Sequence, residues 1–152
     1  MTDPRIIIVG SGIIGACLAY AASQRGLKPV VVSAGQPADG GSATAASWAW
    51  VNACSTGDPD YFRLRHASLR RWQIWMQQLD TIRFSATETY LWDLPPDELR
   101  AAVDGLAALG YPVELIDSTA LTARLPRLRE VPEAALHTAI EGAVEPAPAA
   151  RA

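Results

Sequence analysis

One short stretch constrains this chain more than any other: Gly10-Ser-Gly-Ile-Ile-Gly15, set directly behind the β-branched run Ile6-Ile-Ile-Val9. A strand, a GxGxxG turn and a helix-forming run in that order open a βαβ unit, and few other local structures accommodate them. The unalternating run Arg5 to Val9 reads as a strand buried on both faces of a parallel sheet. Ala16 to Gln24 favours helix, with Arg25 in its last turn and Gly26 as its stop. Val30-Val31-Val32 is the second strand, reached by a right-handed crossover. In such a unit Gly10 permits the tight turn, Gly12 lets the backbone approach a pyrophosphate, and Gly15 lets the helix lie close to the strand. The helix N-terminus adds amide donors and the positive end of its dipole. A glycine turn without a ligand is the bland reading, and the strand–turn–helix context weighs against it.

The fingerprint also expects an acid at the end of the second strand, to accept from the ribose hydroxyls. Ser33 stands there instead. Its hydroxyl makes such a bond without the charge that strengthens it, a loss of about 1 to 3 kcal/mol. An NADP-type site lacks the acid as well, so this motif alone leaves the cofactor class open.

Ile6 to Ala22 is apolar enough to suggest a secretory leader. It is shorter than the roughly 20 residues that span a bilayer, and Gly10, Ser11, Gly12 and Gly15 interrupt it. Strand, turn and helix account for it better, and no membrane span is expected. A hydrophobic share of 49% with 19% charged residues suits a globular protein, and a net charge of −3 gives no pull toward nucleic acid. Cys17 and Cys54 form no metal-ligand spacing and no disulfide framework, which suits a reducing cytoplasm. Cys17, in an apolar run, reads as a small core residue.

Beyond the second strand, Gly35 to Ser47 is almost entirely small residues and leads into Trp48-Ala-Trp-Val-Asn52. So much aromatic surface implies an ordered loop packed against something. Asp58-Pro59-Asp60 opens a long helix to about Leu79. Tyr61, Leu64, Trp72, Trp75 and Leu79 recur at helical spacing as its buried face. One or two strands are expected within Thr81 to Trp92, then a helix from Pro96 to Leu109 stopped by Gly110. A strand over Val113 to Ile116, a helix over Ser118 to Arg124 and a strand over Ala135 to Ile140 follow. Gly142-Ala-Val-Glu-Pro146 is a turn into a last helix.

The stretch from Ile6 to Asn52 resembles the FAD-dependent oxidoreductases of the D-amino-acid oxidase type, among them glycine oxidase, sarcosine oxidase and D-amino-acid dehydrogenase. The likeness lies in Ile6-Ile-Ile-Val-Gly-Ser-Gly-Ile-Ile-Gly15, Val30-Val-Val, Gly40-Gly-Ser-Ala-Thr-Ala-Ala-Ser47 and Trp48-Ala-Trp-Val-Asn-Ala53. It implies an α/β fold: a Rossmann-type FAD-binding βαβ unit with the start of a β-rich (α+β) substrate domain, incomplete. Residues 1–80 would begin the FAD-binding domain, 81–140 the substrate domain, and 141–152 the return to the first. By the same resemblance Gly10, Gly12, Ile13, Ile14 and Gly15 hold the FAD pyrophosphate. Ser33 takes the place of the ribose-binding Glu, and Ser42, Ala46 and Ser47 line the flavin side, with Trp48 and Trp50 nearby.

The implied activity is that of an enzyme whose flavin accepts a hydride from the C–N carbon of a small-molecule amine or amino acid. The family's later FAD-contacting glycines and much of its substrate pocket find no counterpart here. The chain is therefore expected to be marginal or aggregation-prone alone, or to be completed by a partner chain. Two rivals stand beside this reading. An NAD(P)-binding reductase is favoured by Ser33, though a short NAD(P) loop does not need the small-residue run. A non-catalytic truncated piece is favoured by the early end. No catalytic residue is assigned: His66 and His137 lack a nucleophile or paired acid in triad-like order. Arg63, Arg65, Arg70 and Arg71 read as a solvated helix face, and Glu88, Asp93, Asp97 and Glu98 as surface acids.

Overall fold

The structure is a computed structural model and describes residues 6–39, 41–55 and 57–152. Arg5 and Gly40, named above, lie outside the described residues. The chain divides into two compact units, one of residues 1–50, 72–84 and 144–152, the other of residues 51–71 and 85–143.

The first unit opens with β1 (Ile7–Val9), α1 (Ile13–Ser23) and β2 (Val30–Val32). β1 and β2 pair in parallel, Ile7 with Val30 through Val9 with Val32. The expected strand, turn and helix are all present, with α1 beginning at the glycine loop itself. Burial on both faces does not hold in this unit. Ile8 is 8% exposed, but Ile7 and Val9 on the opposite face are open, Val9 at 85%. The cause is the two-stranded sheet, in which α1 covers one face only. α1 also packs on α5 (Pro146–Arg151). Tyr20 of α1 meets Trp75 edge-on with centroids 5.6 Å apart, and Trp75 meets Trp72 the same way at 5.4 Å. Cys17 is only half-buried.

Helix α2 runs Pro59–Gln78. Asp58 starts it, its Oδ1 accepting from the amides of Asp60 at 2.8 Å and Tyr61 at 3.2 Å. The expected buried face holds at Trp72 and, half-buried, at Trp75 and Leu79, and is corrected at the start of the helix. Tyr61 and Leu64 are exposed at 53% and 66%, while Phe62, Leu69 and Trp72 are buried. Both registers fit a 3.6-residue period, and burying Phe62 rather than Tyr61 leaves the phenol in water. Arg63 pairs with Asp60 on the outer face. Arg65 departs from a solvated face, since its guanidinium holds the Asn52 side chain and the carbonyls of Asn52 and Ser55.

β3 (Trp50–Val51), β4 (Phe84–Ala86) and β8 (Gly142–Val144) form a three-stranded sheet in the order β3-β8-β4. Gly142 to Val144 is thus a strand rather than the expected turn. The second unit is organised on an antiparallel sheet, β5 (Thr89–Leu91), β7 (Ala134–Thr138) and β6 (Glu114–Asp117), with β7 central. Leu136 lies opposite Leu91 on one side and Leu115 on the other. α3 (Pro96–Ala108) packs on β6 and β7. It buries Leu99, Val103 and Leu106 at spacings of four and three, one helical stripe. Gly110, at φ +75°, turns the chain out of that helix. α4 (Ser118–Arg124) is capped by Asp117, whose Oδ1 accepts from the Ala120 amide at 2.8 Å. Leu121 of α4 packs on Ile116 and Ala135.

Candidate functional site

Each residue named for cofactor contact lies in the first unit, and Gly10 and Ser33 directly follow the carboxyl ends of β1 and β2. The turn is built by three backbone demands. Gly10 leaves β1 at φ +104°, and its amide continues the parallel ladder by donating to Val32 O at 2.8 Å. At Gly15 a Cβ would stand 1.9 Å from the carbonyl oxygen of Gly10. No other residue fits without moving α1 off the loop. That contact closes the turn on itself.

α1 begins at Ile13 with Gly12 as its extended N-cap. A glycine cap has no side chain to accept from the first amides, and Thr44 supplies the missing group. Its Oγ1 accepts from the Ile13 amide at 3.0 Å. The first full-turn bond is Ala16 N–H to Gly12 O, so the amides of Ile14 and Gly15 precede the helix ladder. Of the helix-end donors expected to face a phosphate, Ile13 is therefore already engaged. Thr44 escaped the sequence reading. Its signal is being the one buried hydroxyl in a run of small residues, which composition alone cannot single out.

The small-residue segment is ordered by its own side chains. Ser42 Oγ accepts from the Ala45 amide at 3.1 Å, and Ser47 Oγ accepts from the Ala49 amide at 2.9 Å. Ala46 is exposed between them. Trp48 and Trp50 stack edge-on at 6.1 Å, yet Trp48 is 85% exposed. The expectation that this aromatic stretch is packed away thus fails at Trp48. At the end of β2, Ser33 is exposed, and its Oγ accepts from the buried Ser11 hydroxyl at 2.7 Å. The Ser11 carbonyl in turn accepts from the Ala38 amide at 3.1 Å.

The second unit holds a polar centre that sequence reasoning missed. Glu141 is fully buried. Its Oε1 accepts from the amides of Ala53 at 2.7 Å and Cys54 at 2.9 Å, and from Tyr111 Oη at 2.6 Å. Its Oε2 accepts from Cys54 Sγ at 3.3 Å. A buried carboxylate is tolerable when donors surround it in this way. Burial, and then the neighbouring carboxylate, push the Cys54 thiol well above its ordinary range; burial and the bond to Glu141 do the same for the Tyr111 phenol. Both stay protonated, so Cys54 is no nucleophile. The sequence signal was present, an acid between Ile140 and Gly142 in an otherwise apolar return.

Neither histidine is isolated. His66 packs on Phe62 and Tyr111. His137 Nδ1 lies 2.8 Å from Glu114 Oε1 and 2.9 Å from Arg124 Nη1, and its Nε2 lies 3.5 Å from Glu88. Glu88, expected as a plain surface acid, also binds the Tyr90 hydroxyl. Glu114 is held below the ordinary carboxylate range by its bonds from His137 and then Arg124. Among the described residues, no three acids, histidines or cysteines are grouped to hold a metal, and no helix is long and apolar enough to cross a membrane.

The profile of the FAD dependent oxidoreductase (DAO) family matches residues 5–152. No curated protein sequence matches the chain. Among solved structures, L-proline dehydrogenase from P. horikoshii superimposes at a TM-score of 0.85 with 20% identity, over 98% of this chain and 40% of that one. Glycine oxidase from Geobacillus kaustophilus gives 0.84 and 20%, over 97% and 42%. Iminodiacetate oxidase (IdaA) from Chelativorans sp. BNC1 gives 0.76 and 20%, over 97% and 42%. At these identities the likeness is one of fold. The chain spans about two fifths of the length of these proteins.

Proposed function

The chain belongs to the FAD dependent oxidoreductase family, and from that premise we propose that its first unit binds the FAD dinucleotide for the oxidation of a primary or secondary amine or an amino acid. The observation that carries this reading is the contact of Gly15 with the Gly10 carbonyl, which leaves no room for a Cβ and holds the start of α1 close against the glycine loop. That geometry fits a pyrophosphate at a helix N-terminus, outside the carboxyl ends of parallel strands.

In this reading the amides of Ile14 and Gly15 donate to the pyrophosphate, with Gly10, Gly12 and Ile13 forming the wall beside it. Thr44 holds Ile13 and so fixes the angle at which α1 meets the phosphates. Ser33 faces the adenosine ribose. Ser42, Ala46 and Ser47 border the flavin side, where the turns that Ser42 and Ser47 cap set the backbone path. When bound, FAD supplies the acceptor for a hydride leaving the substrate's C–N carbon, which becomes an imine carbon. An amine or amino acid as substrate is in keeping with the L-proline dehydrogenase and glycine oxidase among the structural relatives. No residue here is given a catalytic role. Two free thiols suit the reducing cytoplasm as its compartment.

The test is the visible absorbance of the purified chain after incubation with FAD and gel filtration. Flavin bands co-eluting with wild-type protein and lost in Gly15→Ala are expected. Bands absent from the wild type, or retained equally in Gly15→Ala, would sink the assignment.

A further inference from the structure

Two side chains of opposite charge close on one short piece of backbone. Arg65, on α2, donates from Nε to the Asn52 carbonyl at 3.2 Å, from Nη1 to the Ser55 carbonyl at 3.1 Å, and from Nη2 to the Asn52 side chain. Its guanidinium lies 5.4 Å from the centre of the Tyr61 ring, and the Ser55 hydroxyl donates to Asn52 Oδ1 at 3.0 Å. Glu141 takes the two amides in between, those of Ala53 and Cys54. From Asn52 to Ser55, outer carbonyls thus meet a cation and inner amides meet an anion, so each bond is charge-assisted.

A second observation lies just upstream in the chain. Ala49 stands at φ +51°, in the left-handed region that alanine seldom enters. Its amide donates to Ser47 Oγ at 2.9 Å, and its carbonyl accepts from the Val144 amide at 3.2 Å. A strained residue persists where its surroundings over-determine it, and such residues cluster at ligand contacts. Beside it Trp48 is held out at 85% exposure, with the Trp50 ring edge-on to it. An indole left in water on a fixed backbone is a contact surface ordered in advance.

We propose that Arg65 and Glu141 are positioning residues for the flavin: by fixing Asn52 to Ser55 they set the course of the Trp48–Val51 stretch beside the isoalloxazine. The proposal rests on the FAD reading above. Its physical content is preorganisation. A stretch ordered before FAD arrives has little freedom left to lose, whereas a released one loses it on binding and weakens affinity. The adenosine diphosphate half of FAD meets the glycine loop and Ser33 in that reading, so its own binding should be indifferent to the clamp.

The experiment measures the affinities of FAD and ADP for the 152-residue chain, well below the melting temperature of each variant. The proteins are wild type, Arg65→Met, Arg65→Lys and Glu141→Gln. Arg65→Met is expected to bind FAD about tenfold more weakly, the scale of ordering one or two side chains on binding, and ADP as wild type does. Arg65→Lys keeps the charge without the fork that reaches two carbonyls, and should recover only part of the loss. Glu141→Gln, whose side-chain oxygen still accepts from both amides, should stay within about twofold of wild type for FAD. A clamp that is structural alone would lower the melting temperature and leave the ratio of FAD to ADP affinity where it was. That unchanged ratio in Arg65→Met overturns the positioning role and leaves FAD binding standing, and so does a loss shared equally by the two ligands. A wild type that binds FAD no better than ADP overturns it too, since the flavin half then gains nothing from the chain. If wild type binds neither ligand, this inference and the function proposed above fall together.

Discussion

The two units treat the same material differently. In the second, three antiparallel strands and helices α3 and α4 seal Leu121 and Leu136 at 0% and 2% exposure, and a carboxylate with four donors fills the one polar position at the centre of the Ala53–Cys54–Tyr111 cluster. In the first, two parallel strands leave Ile7, Val9 and Val32 half open or more, and hydroxyl and amide contacts gather at the glycine loop. An antiparallel sheet with helices packed on it completes a core in few residues. A parallel pair needs more strands and a second helical layer before its faces close. The first unit therefore spends its sequence on shaping a turn, the second on burying a core.

The largest effect should come from the buried acid. Glu141→Ala leaves the Ala53 and Cys54 amides and the Tyr111 hydroxyl unpaired inside the second unit, a loss of about 3 kcal/mol. Glu141→Gln, which keeps one acceptor, should recover part of it. Thermal unfolding followed by circular dichroism decides this, and a Glu141→Ala protein as stable as wild type would erase the contrast between the units. Next is Gly15→Ala, where the added methyl meets the Gly10 carbonyl. It should weaken FAD binding at least tenfold for about 1 to 3 kcal/mol of overpacking strain. FAD titration together with a thermal melt separates the two effects.

Alkali probes the second unit more gently. Cys54 and Tyr111 have raised pKa values in the fold, so both remain protonated there after the unfolded chain has begun to lose those protons. Their contribution is complete below the unfolded values and is lost as pH rises above about 8.5 for the thiol and about 10 for the phenol. Melting temperature against pH should fall on that side, and Cys54→Ala should flatten the first part of the fall. An identical alkaline slope in Cys54→Ala would show that the thiol does not carry it. The smallest effect belongs to the open face. Val9→Ser, at 85% exposure, should change stability by less than about 0.5 kcal/mol while raising solubility. A large loss from Val9→Ser would mean that the face is covered in solution.

Most of what was legible in the sequence concerns backbone. Gly10, Gly15 and Gly110 are required by turns that involve their near neighbours, and Asp58, Pro59 and Pro96 mark helix starts within one turn. Those demands are local, so the residues that state them lie beside the structure they produce. The strand at residues 142–144 was missed because its partner strands, β3 and β4, are distant in sequence and only their pairing makes it a strand. Tyr61 against Phe62 was missed because periodicity gives a helix a face without saying which of two adjacent residues heads it.

By itself the sequence determined a βαβ turn that only glycine can make, the helices flanking it, and a family resemblance carried by that turn and the small-residue run behind it. Tertiary structure decided which polar groups meet: Thr44 with the Ile13 amide, Ser11 with Ser33, and Glu141 with residues up to 88 positions away. The reason is physical. A turn is dictated by steric limits on neighbouring dihedral angles, whereas a hydrogen bond between distant residues exists only after the whole chain has brought its partners within about 3 Å.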